Sequence, residues 1–249
     1  MLGKLRIEPL DADTLALPPP YELLLPVEAP EVWCAGVTYE RSRDARVEES
    51  GSDVYTRVYE AARPELFLKD AVCRRTVGPG GRIGVRSDSA WNVPEPEIGL
   101  VLGEGGVIAG YTIGNDVSSR DIEGANPLYL PQAKVFAGAC SLGPAMLVTD
   151  EENPVFEIEL RISDSTGAQL FHGATSTARM KRSFLELVDW LLRDNPVPPG
   201  SVLLTGTGLV PPDDFTLQPG HRVEIHVPGI GTLQNDVVLA TDLLEGSTP

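Results

Sequence analysis

Histidine is scarce in this 249-residue chain: His172, His221 and His226 are all there are, and none has a neighbour that would make a metal-binding or catalytic cluster with it. Cysteine is equally sparse. Cys34, Cys73 and Cys140 stand far apart, in no paired ligand spacing, which excludes a zinc finger and argues against a disulfide framework. Each lies among small or apolar residues, the setting of a buried thiol. Basic residues are outnumbered, 20 Lys and Arg against 36 Asp and Glu, for a formal charge of -16. A phosphate backbone or an anionic bilayer needs a basic surface, so neither nucleic acid nor membrane is an expected partner. The N-terminal MLGKLRIEPLDADTL has no continuous apolar stretch after its charges, and no run elsewhere is long enough to cross a bilayer. A cytoplasmic location is the expectation. A small anionic substrate would then require a local positive site, either a metal ion or a buried Lys or Arg.

What is present is punctuation. The 25 glycines and 22 prolines form no low-complexity tract, so they read as turns between many short strands. Residues 31–39 (EVWCAGVTY) read as a buried strand, and ELFLK restarts one at Glu65 after the break at Arg63-Pro64. Residues 40–63, rich in Arg and Glu, suit a solvated helix broken near Gly51 that could close as a lid. Segments 97–102 and 107–112 flank GEGG, a hairpin signal. Residues 155–162 alternate and turn at DSTG, and short strands follow at 202–205, 223–227 and 237–240. One helix is expected over 177–193, with Met180, Phe184, Leu187, Val188, Leu191 and Leu192 at helical spacing before Asn195-Pro196. The fold class is α+β and β-rich. A small N-terminal region spans residues 1–62 and a larger domain 63–249.

The densest chemistry is VPEPE at 93–97. In an extended chain residues i and i+2 share a face, so Glu95 and Glu97 project together while Pro96 keeps the backbone extended. Two like charges held so close call for a cation or a proton. The hairpin would return a third acid, Asp116, to the pair. Three carboxylates with waters suit magnesium, and manganese or calcium fit the same donors; zinc does not, for want of His or Cys.

EPEIGLVL, GYTIGNDVSSRD, the lysine in QAKVF before SLGP, GSVLLTGT and PGHRVEIHVPGIGTLQNDV occur in that order between about Pro64 and Asp242. Together they closely resemble the catalytic domain of the fumarylacetoacetate hydrolase superfamily. The resemblance implies a mixed β-sandwich or roll, usually a homodimer, in which Glu95, Glu97 and Asp116 bind the metal. Lys134 matches a lysine that contacts the substrate, Thr207 a threonine at the substrate carboxylate, and Lys69 a lysine lining the same pocket. Plainer roles are open for each: Lys134 as a surface lysine, Thr207 as a turn-former, Arg120 and Asp121 as a structural pair. The three histidines have no matching family role and read as structural or exposed.

One departure narrows the chemistry. Hydrolases of this superfamily carry a histidine and a glutamate three residues apart after an Asn-Tyr pair. Here Tyr39 stays, but Ser42 and Ala45 stand at those two positions. A serine hydroxyl is no general base without another base beside it, so carbon–carbon hydrolysis lacks its expected machinery. VTYERSRDAR, RPELFLK and IEGANPLYLPQAK are similar to the branch of 2-keto-3-deoxy-arabinonate dehydratases. That implies loss of water from a 2-oxo sugar acid to give 2,5-dioxopentanoate. Lys134 or Lys69 is then a candidate base and Glu48, Glu49 or a metal-bound water a candidate acid. Ser42, Tyr39, Arg43 and Arg46 could meet substrate oxygens. The rival readings are acylpyruvate hydrolysis, oxaloacetate decarboxylation or dienoate isomerisation on the same metal site, and a sugar-acid-binding protein without catalysis.

Overall fold

The computed structural model describes residues 22–40, 54–151 and 153–244. In chain order the strands are β1 Glu31–Gly36, β2 Glu65–Ala71, β3 Thr76–Val77, β4 Arg82–Val85, β5 Asn92–Val93, β6 Pro96–Leu102 and β7 Ile108–Asp116. They continue as β8 Ser118–Ser119, β9 Cys140–Leu147, β10 Glu157–Ser163, β11 Gln169–Ser176, β12 Val202–Leu204, β13 Arg222–Val227 and β14 Gly231–Leu239. The helices are short: α1 Val54–Glu60, α2 Arg120–Ala125, α3 Leu130–Lys134 and α4 Phe184–Leu192. A seven-stranded mixed sheet runs β2-β1-β12-β6-β7-β9-β3, and a five-stranded sheet runs β11-β10-β13-β14-β4. The β-rich expectation holds.

Alternation decides how the sheets meet. On β6, Ile98, Leu100 and Leu102 point into the main core, where they join Ile83, Ile113, Ile158, Leu160, Ile162, Ile225 and Leu233 from both sheets. The opposite face of β6 carries Glu97, Gly99 and Val101, and Val101 packs with Val32, Cys34, Cys140, Leu142, Val202 and Leu204 in a second apolar cluster. β6 is buried along its whole length, Glu97 with it, and Glu95 immediately before the strand is buried as well. The hairpin forms as expected, with Leu102 opposite Ile108 and positive φ at Gly105 and Gly106. β1 lies between β2 and β12, so residues upstream of position 63 belong to the large sheet.

The 177–193 expectation is half right. Residues Thr177–Arg179 make one 3-10 turn, and Met180 bridges Tyr39 as extended chain. The α-helix starts only at Phe184, where Ser183 caps it by accepting from the Glu186 N–H at 3.1 Å. The S-x-x-E capping signal outweighs the apolar spacing upstream of it. Of the expected 40–63 helix, residues 40 and 54–63 are described, and α1 ends at Glu60, three residues short of Arg63. No helix among the described residues is long and apolar enough to cross a membrane.

Candidate active site

The hairpin brings the three acids together. β6 and β7 pair so that Glu97 lies opposite Gly114, and the Asp116 N–H donates to the Glu95 carbonyl at 3.0 Å. Glu95, Glu97 and Asp116 are all buried, and each offers an oxygen within 4.8 Å of the others. The Asn115 side chain accepts from the Glu95 N–H at 3.1 Å and fixes the turn into the strand.

Their charges are countered from three directions. Lys134, at the end of α3, spans Glu95 Oε2 and Asp116 Oδ2, both at 2.8 Å, and also donates to the Ser118 hydroxyl. Arg120 Nη2 holds Glu95 Oε1 at 2.9 Å from the start of α2. Lys69, on β2, pairs with Asp116 Oδ1 and donates to the carbonyls of Val117 and Lys134. Glu97 is different: its Oε2 takes the Gly206 backbone N–H at 2.5 Å, and no ion pair to it is formed by these three cations. Burial first, then the Asp116 and Glu95 charges, push its carboxyl well above the ordinary glutamate range, against the opposing pull of Lys134 and Gly206. A buried triad of hard oxygens with one carboxylate held so high fits a divalent cation.

The turn that serves Glu97 is built for it. Gly206 sits at φ +87°, and a Cβ there would lie 2.1 Å from Thr38 Oγ1 and 2.8 Å from the Ala35 carbonyl. Val37 also turns left-handed, at φ 52°, a strained conformation for a β-branched residue. That turn sends Thr38 to the Thr205 carbonyl at 2.7 Å. The pocket over the acids is lined by Ala35, Val37, Glu65, Glu95, Asp116, Arg120, Glu123, Lys134 and Thr207, among others.

The other expected residues fall in different places. Lys134 is not a surface lysine but one of the most buried side chains. Lys69 is buried beneath Asp116 rather than lining the pocket, with three acceptors around its ammonium group. Thr207 lines the pocket, and its hydroxyl orders the turn by donating to the Leu209 carbonyl at 2.9 Å. Tyr39 is buried against Gly208, in an adjoining cavity with Thr175 and Arg179, and burial raises its phenol pKa. Ser42, Arg43, Ala45, Arg46, Glu48 and Glu49 lie outside the described residues.

Arg120 and Asp121 do not pair with each other. Arg120 turns inward to Glu95, while Asp121 accepts from the Ser89 hydroxyl at 2.6 Å and the Ala90 N–H at 2.7 Å. Adjacent positions on a helix face apart, which the R-D doublet conceals. Glu65 and Glu123 line the pocket as well, although no motif in the sequence singles them out. All three histidines are remote from the pocket: His172 contacts Glu159 at 2.9 Å, His226 contacts Thr232 at 3.0 Å, and His221 accepts from the Gln218 N–H at 3.3 Å.

Residues 31–238 match the family described as Fumarylacetoacetate (FAA) hydrolase C-terminal. The chain is 52% identical to a probable 2-keto-3-deoxyxylonate dehydratase of Haloferax volcanii, over 86% of this chain and 74% of that protein. It is 46% identical to a 2-dehydro-3-deoxy-D-arabinonate dehydratase of Saccharolobus solfataricus, over 84% of this chain and 72% of that one. Among solved structures it resembles a 2-keto-3-deoxy-D-arabinonate dehydratase complexed with magnesium and 2,5-dioxopentanoate. The TM-score is 0.77 at 44% identity, covering 85% of this chain and 74% of that one.

Proposed function

This chain belongs to the fumarylacetoacetate hydrolase family, and from that premise we propose that it is a magnesium-dependent hydro-lyase that removes water from a 2-keto-3-deoxy pentonate to give 2,5-dioxopentanoate. The observation that carries the reading is the buried Glu95–Glu97–Asp116 triad, braced by Lys134 and Arg120, in a pocket that no histidine lines. Two dehydratase relatives at 52% and 46% identity support the same chemistry. The substrate has one stereocentre, C4, because C2 is an oxo carbon and C3 a methylene. D-arabinonate and D-xylonate share their C4 configuration, so the 2-keto-3-deoxy acids derived from them are the same molecule.

Glu95, Glu97 and Asp116 would hold the magnesium ion. When bound, the ion supplies Lewis-acid polarisation of the 2-oxo group, which acidifies the C3 protons. Lys134 keeps Glu95 and Asp116 at a fixed separation through its two 2.8 Å contacts, so the ligand set is preorganised. Thr207 lines the same pocket, and in this reading it would meet the substrate carboxylate. With its three ammonium protons taken by Glu95, Asp116 and Ser118, Lys134 serves as a donor and positioning group rather than a base. Lys69 supports Asp116 from below. We assign the protein to the homodimers usual in its family.

The test is turnover of synthetic 2-keto-3-deoxy-D-arabinonate, followed by proton NMR with magnesium and with EDTA, for wild type and Lys134→Met. Wild type should convert the acid only with metal, and the variant should lose both turnover and calorimetric magnesium binding. A wild-type protein that binds magnesium and leaves the acid untouched would overturn the proposal.

A further inference from the structure

Resting on that dehydratase reading, we infer that Lys181 and Arg182 clasp the end of α1 and so set the outer wall of the substrate's route to the metal, with Arg182 as the positioning residue. The chain that leaves β1 and the chain that returns to β2 are both held by residues 180–182. On the outgoing side Met180 bridges Tyr39, and the Lys181 N–H donates to the Thr38 carbonyl at 3.0 Å. On the returning side the Lys181 ammonium group donates to the Tyr59 carbonyl and lies 4.5 Å from the centre of the Tyr59 ring. Arg182 donates through Nη1 to the Ala62 carbonyl at 3.0 Å and through Nη2 to the Ala61 carbonyl at 2.6 Å.

These are the carbonyls at and just beyond the last turn of α1, which ends at Glu60. Carbonyls at a helix C-terminus lack partners within the helix and favour a cation beside them. Arg182 is buried, and its Nη1 also pairs with Glu186 on the first turn of α4 at 2.5 Å. A guanidinium is a rigid fork, so two carbonyls and a carboxylate held at once leave it one orientation. One residue further on, Arg63 stacks 4.5 Å from the ring centre of Trp190, which ties the same stretch to α4 again.

What the clasp holds bears on the site. Three residues after Ala62 the chain enters β2 at Glu65, a wall of the metal pocket. Val54, Tyr55 and Val58 of α1 line, with Pro127 and Leu130, a cavity of about 480 Å³. Glu65, Glu123 and Leu130 border both this cavity and the metal pocket, so the two adjoin. The bonds of Arg182 run to Ala61, Ala62 and Glu186, not to the acid triad or the cations that brace it. Loosening Arg182 therefore changes how substrate is captured and leaves the metal ligands in place.

Wild type, Arg182→Met and Arg182→Lys would be compared for KM and kcat on the 2-keto-3-deoxy acid with magnesium. Calorimetry reads magnesium affinity, and mass spectrometry reads amide hydrogen exchange. Arg182→Met keeps an apolar stem and loses the fork. We expect its KM to rise about tenfold or more while kcat stays close to wild type, the pattern of lost uniform binding. Magnesium affinity should be unchanged, and exchange should quicken across residues 54–62 but not in β6 or β7. Arg182→Lys, which keeps the charge, should recover part of the KM. An unchanged KM in Arg182→Met, whatever its Tm, would overturn the inference, because the residue would then hold the fold and nothing more. Weakened magnesium binding, or exchange quickened throughout the chain, would overturn it too. If Arg182→Met does not fold, Lys181→Met at an exposed position removes the ammonium bond to Tyr59. A raised KM with exchange quickened at 54–62 would support the clasp, and an unchanged KM would refute it. A wild type inert on this acid would fail the dehydratase reading itself, whereas an active wild type with an indifferent Arg182→Met fails only the clasp.

Discussion

Replacing Glu97 with glutamine should make the metal-free protein more stable while abolishing its response to magnesium. Glu97 lies within 4.8 Å of both other acids, oxygen to oxygen. At that distance and an effective dielectric near 20, each like-charge contact costs about 3.5 kcal/mol. Lys134, Lys69 and Arg120 cancel much of this, yet they pair with Glu95 and Asp116 rather than with Glu97. A net gain of roughly 1–3 kcal/mol for the neutral amide follows, and the amide can still accept the Gly206 N–H. The pH dependence has a definite sign. Glu97's folded pKa is raised by burial and by Asp116 and Glu95. Its contribution to stability is therefore present at and below the ordinary glutamate range near 4.3, and is lost as pH rises through the raised value. The variant lacks this slope. Urea unfolding in EDTA across pH, repeated with magnesium at about a hundred times its Kd, measures all of it. Wild type should gain about 2.7 kcal/mol from the metal and Glu97→Gln none. A variant less stable than wild type in EDTA, or one that gains as much from magnesium, would refute the reasoning.

Arg120→Met leaves Glu95 Oε1 without its cation in a buried setting. That should cost about 3 kcal/mol and lower Tm by roughly 6–12 °C in a chain of this size; calorimetry showing no loss would make the pair irrelevant. Gly206→Ala puts a Cβ 2.1 Å from Thr38 Oγ1 at φ +87°, so the turn must move and its N–H must leave Glu97. Losing a charge-assisted hydrogen bond of roughly 1.5–3 kcal/mol weakens magnesium binding by about tenfold or more, and unchanged affinity by titration calorimetry would contradict it. Wild-type magnesium affinity should also fall as pH is lowered, because protons compete with the ion for the Glu97 carboxyl, whose pKa burial and the neighbouring acids raise; titrations in buffers of different ionisation enthalpy would detect proton release on binding.

The triad was legible because its assembly is local. An E-x-E pair at the start of a strand and an aspartate at the end of the hairpin's second strand are placed by one turn, GEGG, and one register. The alternating segments that became β10, β13 and β14 were legible for the same reason. What escaped depends on packing between distant segments. Nothing near Lys69 in sequence shows that its ammonium group reaches Asp116 and the Val117 carbonyl, residues nearly 50 positions on. The partner of Arg120 is Glu95, 25 positions earlier, and its neighbour Asp121 is a decoy that caps another loop. The apolar spacing over 177–193 overstated the helix because Met180 is held in extended chain by Tyr39, a contact that only the fold creates.

The most direct test of the central claim is carbon-13 NMR of the product formed from uniformly labelled 2-keto-3-deoxy-D-arabinonate with magnesium. Elimination across C3–C4 predicts one unbroken five-carbon product with a new aldehyde at C5, formed with metal and absent in EDTA. Two- and three-carbon fragments would mean that a carbon–carbon bond is cut instead, and would contradict the account.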